Sequence, residues 1–540
     1  MEGKIVVLFL MALLGGIVGG FGLSYVAYQP QVQNNQNTIT NLQNQVANLN
    51  STLEGLLNMS GALAQSIGEL EARTLNRSTG PSYIISQMVV GEDTYVCMQN
   101  GTTGKLDYCS LDSSAVFNAC TGNLTDGGTI LIKGGHYVMT ASFLVGDNTL
   151  VEGEGVATEL VLGTGLVCPV VSNLNTTTGN MNITLRNFKI NGNEDGVGAS
   201  ANYTTSGVRF ARVNDSRIED MYIENCWASC IRWDAGSSRN LVAHNTLEHA
   251  RFGVFFSGDG FADKPSSISI SNNFVRDVHG TAGIHGNGIF VMEGTNVVID
   301  GNQVAECIDS GCEVHGCNYS TISDNVLNNN CKGILVRESY HVTVNGNSIY
   351  DTVFGKGSCG IWILGADNAF PCRDITVSGN AVYYTKLSSV RIENAIQVTV
   401  IGNTFDTTLA TGEEGISVYL AANANVSGCA IIVANNIVRN ATGQGIYVGT
   451  NGTYMNGCVI EGNTVFDCEG DGIRLGHVEN STVNGNVCHD NGGYGLSEGS
   501  SNYNIYIGNN CYANTFGDFV DGNGPYSKVA HNMGDPQHDT

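Results

Sequence analysis

From about Met181 to Asn523 the chain repeats one short pattern of apolar and polar positions. A strand that alternates the two, such as Val342-Thr343-Val344, runs into a Gly-Asn or Asn-Asn corner. A second short strand follows, such as Ser348-Ile349-Tyr350. A loop of variable length then leads to a glycine and a third strand, as in Gly333-Ile334-Leu335-Val336, Gly360-Ile361-Trp362-Ile363, Gly415-Ile416-Ser417-Val418, Gly445-Ile446-Tyr447-Val448 and Gly472-Ile473-Arg474-Leu475. Corner asparagines recur at Asn302, Asn325, Asn347, Asn380, Asn403, Asn436, Asn463, Asn486 and Asn510, while Asn193, Asn225, Asn245 and Asn273 fit the slot more loosely. Alternation buries one face of a strand, and a β-rich unit of this length repeated many times is a solenoid.

Three strands per turn, stacked in register, predict an all-β fold: a right-handed parallel β-helix over 126–525. Glycine suits corners of positive φ, and asparagine tolerates the left-handed region. Stacked corner asparagines can bond one another and the adjacent backbone, which assigns them a structural role.

The N-terminal pattern differs. Ile5 to Tyr28 is uncharged and mostly apolar, long enough to cross a bilayer, so 1–30 reads as an uncleaved membrane anchor in preference to a signal peptide. Lys4 precedes it and places the body outside the cell, with secretion as the alternative. Over 31–76 a heptad puts Ile39, Val46, Leu53, Ser60 and Ile67 on one seam position and Leu42, Leu49, Leu56, Leu63 and Leu70 on the other. That predicts a coiled-coil stalk and a homo-oligomer of two or three copies. Residues 77–125 read as a cap: a strand from Tyr83 to Cys97, a turn at Asn100-Gly101, a returning strand to Cys109, and a helix from Ser113 to Cys120 behind Asp112. Residues 526–540 are a tail.

Composition changes this picture in two respects. A net charge of −25 argues against nucleic acid as a partner. Seventeen cysteines and fourteen Asn-x-Ser/Thr sequons point to an oxidising, glycosylating exterior. The candidate disulfides are Cys97 with Cys109 across the hairpin, and Cys307 with Cys331 and Cys429 with Cys458 between adjacent coils. Acidic turns such as Asp467–Asp471 could hold Ca²⁺.

Asp112-Ser-Ser-Ala-Val-Phe-Asn-Ala, Gly127-Gly-Thr-Ile-Leu-Ile, Gly135-His-Tyr137 and Leu150-Val-Glu-Gly-Glu-Gly155 resemble the opening of the pectate-lyase superfamily of β-helix proteins. The asparagine-corner coils are similar to that family's parallel β-helix repeats. The resemblance covers about residues 100–525. It implies the fold and, for some members, lyase, hydrolase or epimerase activity. The Arg-x-Pro-x-x-Arg of pectate lyases, the Asn-Thr-Asp, Asp-Asp, Gly-His-Gly and Arg-Ile-Lys set of polygalacturonases and the Asp-Pro-His-Glu of mannuronan epimerases are absent.

On the third strand, residues two apart share a face, so Phe255, Phe290, Glu313, His315, Arg337, Trp362, Arg391, Glu393, Tyr419 and Tyr447 are expected to point outward in columns. Such a ribbon suits a linear, acidic polysaccharide. Phe255, Phe290, Trp362, Tyr419 and Tyr447 would stack on sugar rings, and Glu313, His315, Arg337, Arg391 and Glu393 would supply acid–base groups and grip. Two functions fit. One is recognition of an extracellular polysaccharide, with or without cleavage as a lyase or glycoside hydrolase. The other is a non-catalytic adhesin or structural envelope protein.

Overall fold

The computed structural model describes residues 80–533 except 199–200, 259, 261, 281–285, 354, 356, 367–369, 421–429, 451–453, 521–526 and 531. The expected anchor and stalk lie outside these residues, as does Cys429. Among the described residues no helix is long and apolar enough to cross a membrane.

The cap begins with β1 (Tyr83–Val90) and β2 (Asp93–Asn100), an antiparallel pair joined at Gly91, followed by β3 (Leu106–Ser110). The expected single strand from Tyr83 to Cys97 is therefore two. The turn is Gly91-Glu92, with Gly91 at φ +67°, and the alternation resumes so soon after it that the break is hidden. Cys97 and Cys109 lie opposite each other across β2 and β3 and are joined as a disulfide, Cα–Cα 4.1 Å. Strand β1 also pairs in parallel with Gly128–Ile132, which ties the hairpin to the first coil. The helix α1 (Ser113–Asn123) starts where Asp112 accepts a hydrogen bond from the Ser114 N–H at 3.0 Å. It closes the end of the stack by burying Phe117 edge-on against Tyr137 and Phe143.

The body is a parallel β-solenoid of three sheets. On the first, Ile299, Ile322, Val344, Val377 and Val400 are in register. On the second, Val304, Leu327, Ile349 and Val382 are in register. On the third, Ile289, Cys312, Ile334, Ile361, Val390, Ile416, Ile446 and Ile473 form one inward column. Each of these side chains is at most 1 % exposed. Burial on this scale, at roughly 25 cal/mol per Å², is what holds a chain of short strands together. Strand pairing continues as far as Lys528–Ala530.

The corner asparagines form one continuous ladder, Asn245-273-302-325-347-380-403-436-463-486-509-532. In it, each backbone N–H donates to the Oδ1 of the next asparagine at 2.8–3.0 Å. The last expected rung, Asn510, is displaced by one. Gly508 takes the left-handed corner at φ +66°, so Asn509 occupies the slot and Asn510 opens the next strand. Asn193 and Asn225 are outside the ladder, themselves left-handed at φ +49° and +53°.

The glycine before the third strand is required by space. A Cβ on Gly445 would lie 2.1 Å from Val465 Cγ1 and 2.8 Å from the carbonyl oxygen of Gly472 in the next coil. Gly445→Ala is expected to destabilise the fold by about 1–3 kcal/mol, as overpacking does. The change should appear as a lower urea midpoint at unchanged slope.

Cys307 carries a free, buried thiol, so the expected Cys307–Cys331 disulfide is absent. The two coils do stack, with the Cys331 N–H on the Cys307 carbonyl at 3.0 Å. The side chains diverge, however: Cys307 Sγ points to the Ala305 carbonyl and Cys331 Sγ to Ser358 Oγ. Adjacent register alone does not align Cβ vectors for a disulfide.

Candidate functional site

The outward residues of the third sheet stand in two columns. The first runs Arg209, Arg232, Phe255, Phe290, Glu313, Leu335, Trp362, Arg391, Ser417, Tyr447, Arg474. The second runs Asp234, Ser257, Met292, His315, Arg337, Leu364, Glu393, Tyr419. Neighbours along a column are one strand apart, ~4.8 Å.

The upstream end is closed. Phe255 and Phe290 are 7 % and 6 % exposed and stack on each other at 4.9 Å; with Phe252 they form a small apolar cluster on the outside of the sheet, with Met292 against it. Arg232 lies 4.7 Å over the Phe255 ring, and Arg209 and Arg232 both hold Asp234 at 2.8 Å. Phe255 and Phe290 are thus not the open sugar platforms expected of them. In parallel register the rings bury each other.

The five acid–base candidates do not converge. Glu313 is buried and accepts a hydrogen bond from Asn287 Nδ2. His315 and Arg337 share Glu338, at 3.5 and 3.2 Å. Burial and then the Arg337 cation hold the His315 imidazole below its usual pKa. Arg391 and Glu393 pair at 2.7 Å three strands beyond Glu313, ~14 Å along the sheet.

That downstream group is partly open. Trp362 is half-buried, with Arg391 5.4 Å from its ring centre. Gly357 lies against the indole, since a Cβ there would come within 2.9 Å of it. Tyr419 follows Glu393 in register, and Arg474 follows Tyr447. Two carboxyls not singled out from the sequence flank this group. Burial raises the pKa of Glu413, and burial together with the charge of Glu413 raises that of Glu414. Both sit just before Gly415 in a loop whose length varies from coil to coil, so no periodic signal marks them. Further on, Asp471 accepts from Ser497 Oγ at 2.6 Å and the Tyr494 N–H at 2.8 Å, so its oxygens face protein donors.

A second cluster lies elsewhere. Glu194, His249 and His279 each offer one ligand atom, all within 4.8 Å of one another. Glu194 Oε2 is 3.1 Å from His279 Nε2 and 3.5 Å from His249 Nε2. Asp277 accepts from His249 Nδ1 at 2.7 Å. The hydrogen bond to Glu194 raises the pKa of His279. His279 follows the second-sheet strand Phe274–Val278 and turns back toward Glu194. These residues are up to 85 positions apart, and only coil stacking joins them.

Compared with known proteins, the sequence profile described as periplasmic copper-binding protein (NosD) matches residues 182–371 and 368–533. No curated protein matches the chain. Among solved structures, the A-module of the Azotobacter vinelandii mannuronan C-5 epimerase AlgE4 is 16 % identical, covering 78 % of this chain and 96 % of that one at a TM-score of 0.42. The N-terminal fragment of bacteriophage Phi29 gene product 12 is 14 % identical, covering 76 % and 84 % at 0.48. The DFA-IIIase of Arthrobacter chlorophenolicus A6 is 14 % identical, covering 62 % and 91 % at 0.42.

Proposed function

This chain belongs to the NosD family, described as periplasmic copper-binding proteins, and on that premise we propose that it works outside the cytoplasm and binds a linear polysaccharide along the third sheet. The observation that carries this reading is the downstream group. Trp362, Arg391 with Glu393, Tyr419 and Tyr447 follow one another strand by strand, so they offer ring faces and hydrogen-bonding charges at regular steps to a chain lying across the coils. The Cys97–Cys109 disulfide suits the same oxidising compartment.

The charges narrow the ligand. Arg391 is matched by Glu393, with Glu413 and Glu414 nearby, and Arg474 by Asp471 at 3.5 Å. Such a face has no surplus of positive charge for a polyanion. It favours sugar hydroxyls over the uronate groups that the sequence suggested.

Trp362→Ala is expected to weaken binding to a responsive glycan about tenfold, the equivalent of ~1.4 kcal/mol, without lowering the melting temperature. Glycan-array or calorimetric titration of both proteins checks it, and assay of new reducing ends or unsaturated products on the same glycans decides whether binding leads to cleavage. Equal affinity of both proteins for every responsive glycan would sink the proposal.

A further inference from the structure

Two histidines and a glutamate that the polysaccharide reading leaves unused meet where the chain passes from the second sheet toward the third. Glu194 comes from a short turn after the strand Thr184–Asn191, His249 from within the strand Thr246–Ser257, and His279 from just beyond Phe274–Val278. We infer that Glu194, His249 and His279 form a binding site for a divalent first-row transition ion, copper(II) foremost.

The spacing fits an ion. Ligand atoms ~2.0–2.1 Å from a metal lie roughly 2.9–3.4 Å from one another at angles near 90–110°. Glu194 Oε2 stands 3.1 Å from one imidazole Nε2 and 3.5 Å from the other. Small side-chain rotations would bring three donors onto one centre, leaving its remaining positions to water.

The second layer also fits. A histidine that binds metal commonly donates its other ring N–H to a carboxylate, which fixes the tautomer and turns the lone pair toward the ion. Asp277 does this for His249: Nδ1 is bonded at 2.7 Å, and Nε2 faces Glu194. The Glu194 side chain is 17 % exposed and that of His249 47 %, so the carboxylate is sheltered while one edge remains open for an ion to enter. Arg251 interacts with Glu194 through space, but it is held over the Trp227 ring at 3.5 Å.

The donor set selects the metal. Two imidazoles and a carboxylate suit copper(II), zinc or nickel, and among these copper(II) binds most tightly. Calcium needs six to eight oxygens, and copper(I) prefers sulfur. The copper named for the family therefore meets a fitting set of residues here.

The test uses the full chain, stripped with a chelator and titrated with copper(II) sulfate by calorimetry and by electron paramagnetic resonance. The expected result is one ion per chain with nitrogen hyperfine structure from two imidazoles. His249→Ala and His279→Ala should each weaken binding at least about tenfold, and Asp277→Asn roughly 10–100-fold. Glu194→Gln keeps the side-chain shape and should also weaken binding, so the site can be judged even if the alanine variants fold poorly. Calcium should give no heat in this titration that Glu194→Gln abolishes. Copper affinity unchanged in Glu194→Gln and Asp277→Asn, or a spectrum without two-imidazole coupling, overturns the inference. The first outcome would mean that the histidines and Glu194 form an ion pair and no more. Neither outcome bears on glycan binding, which is read at Trp362.

Discussion

Asn347→Leu is expected to destabilise the protein by about 3–6 kcal/mol, at 1–3 kcal/mol for each buried polar group left without a partner. Asn347 is 1 % exposed. Its Oδ1 accepts from the Asn325 backbone N–H and from Asn325 Nδ2, both at 3.0 Å. Its Nδ2 donates to the Ile322 carbonyl and to Asn380 Oδ1, both at 2.9 Å, with the Asn345 carbonyl sharing these two hydrogens at 3.1 Å. Leucine matches the volume and provides none of these bonds. Water cannot reach the groups left behind, so their desolvation cost is not recovered. Because each coil touches only its neighbours, the damage falls on the interfaces of one coil, and cooperative unfolding should then start there. Denaturant titration reads the loss as a lower midpoint, and hydrogen exchange should show the amides of Asn325 and its neighbours opening first. Unchanged protection at Asn325 would mean that the ladder does not carry this load.

Trp233→Ala should cost about 3–5 kcal/mol, as large-to-small changes of buried aromatics do. Trp233 is fully buried, 5.4 Å from Phe256 in a parallel stack and 5.0 Å from Phe210 edge-on. These three rings occupy one inward column over three consecutive coils, in register Phe210↔Trp233↔Phe256. Truncation leaves a cavity that the rigid coils on either side cannot close, and both neighbouring rings lose a contact surface. Trp233→Phe keeps the stack and should cost distinctly less. Thermal unfolding of the two variants gives the comparison; equal losses would mean that a ring kept in this column contributes nothing, which would sink the packing argument.

The columns of the third sheet were legible because a strand has period two and a solenoid repeats it. Once Gly-Ile-x-Val is recognised, Trp362 and Arg391 must fall on the same line, and they are in register. What such a column does was not legible. Phe255 and Phe290 share the outward parity of Trp362, yet they are buried against each other and against Phe252. Exposure depends on what the neighbouring coil and the loops place over a residue, and that is not written in its own strand. Glu338 is a similar case. It sits at φ +48°, outside the strand pattern, and yet it is the partner of both His315 and Arg337.

The sequence by itself determined the architecture: one short strand for each sheet in each coil, glycine where a Cβ would meet the next coil, and asparagine where a buried corner needs donors and acceptors. These are local requirements repeated many times, so periodicity exposes them. Only the tertiary structure decided which groups outside the repeat meet. Glu194, His249 and His279 follow no common period, and neither Glu413 nor Glu414 belongs to the repeat. For all but His249, which sits in a strand, proximity depends on how far each connection departs from its coil before returning, a quantity that varies from turn to turn and that strand pairing does not constrain. The same holds for the thiols of Cys307 and Cys331, which stacking brings into adjacent coils and side-chain direction keeps apart.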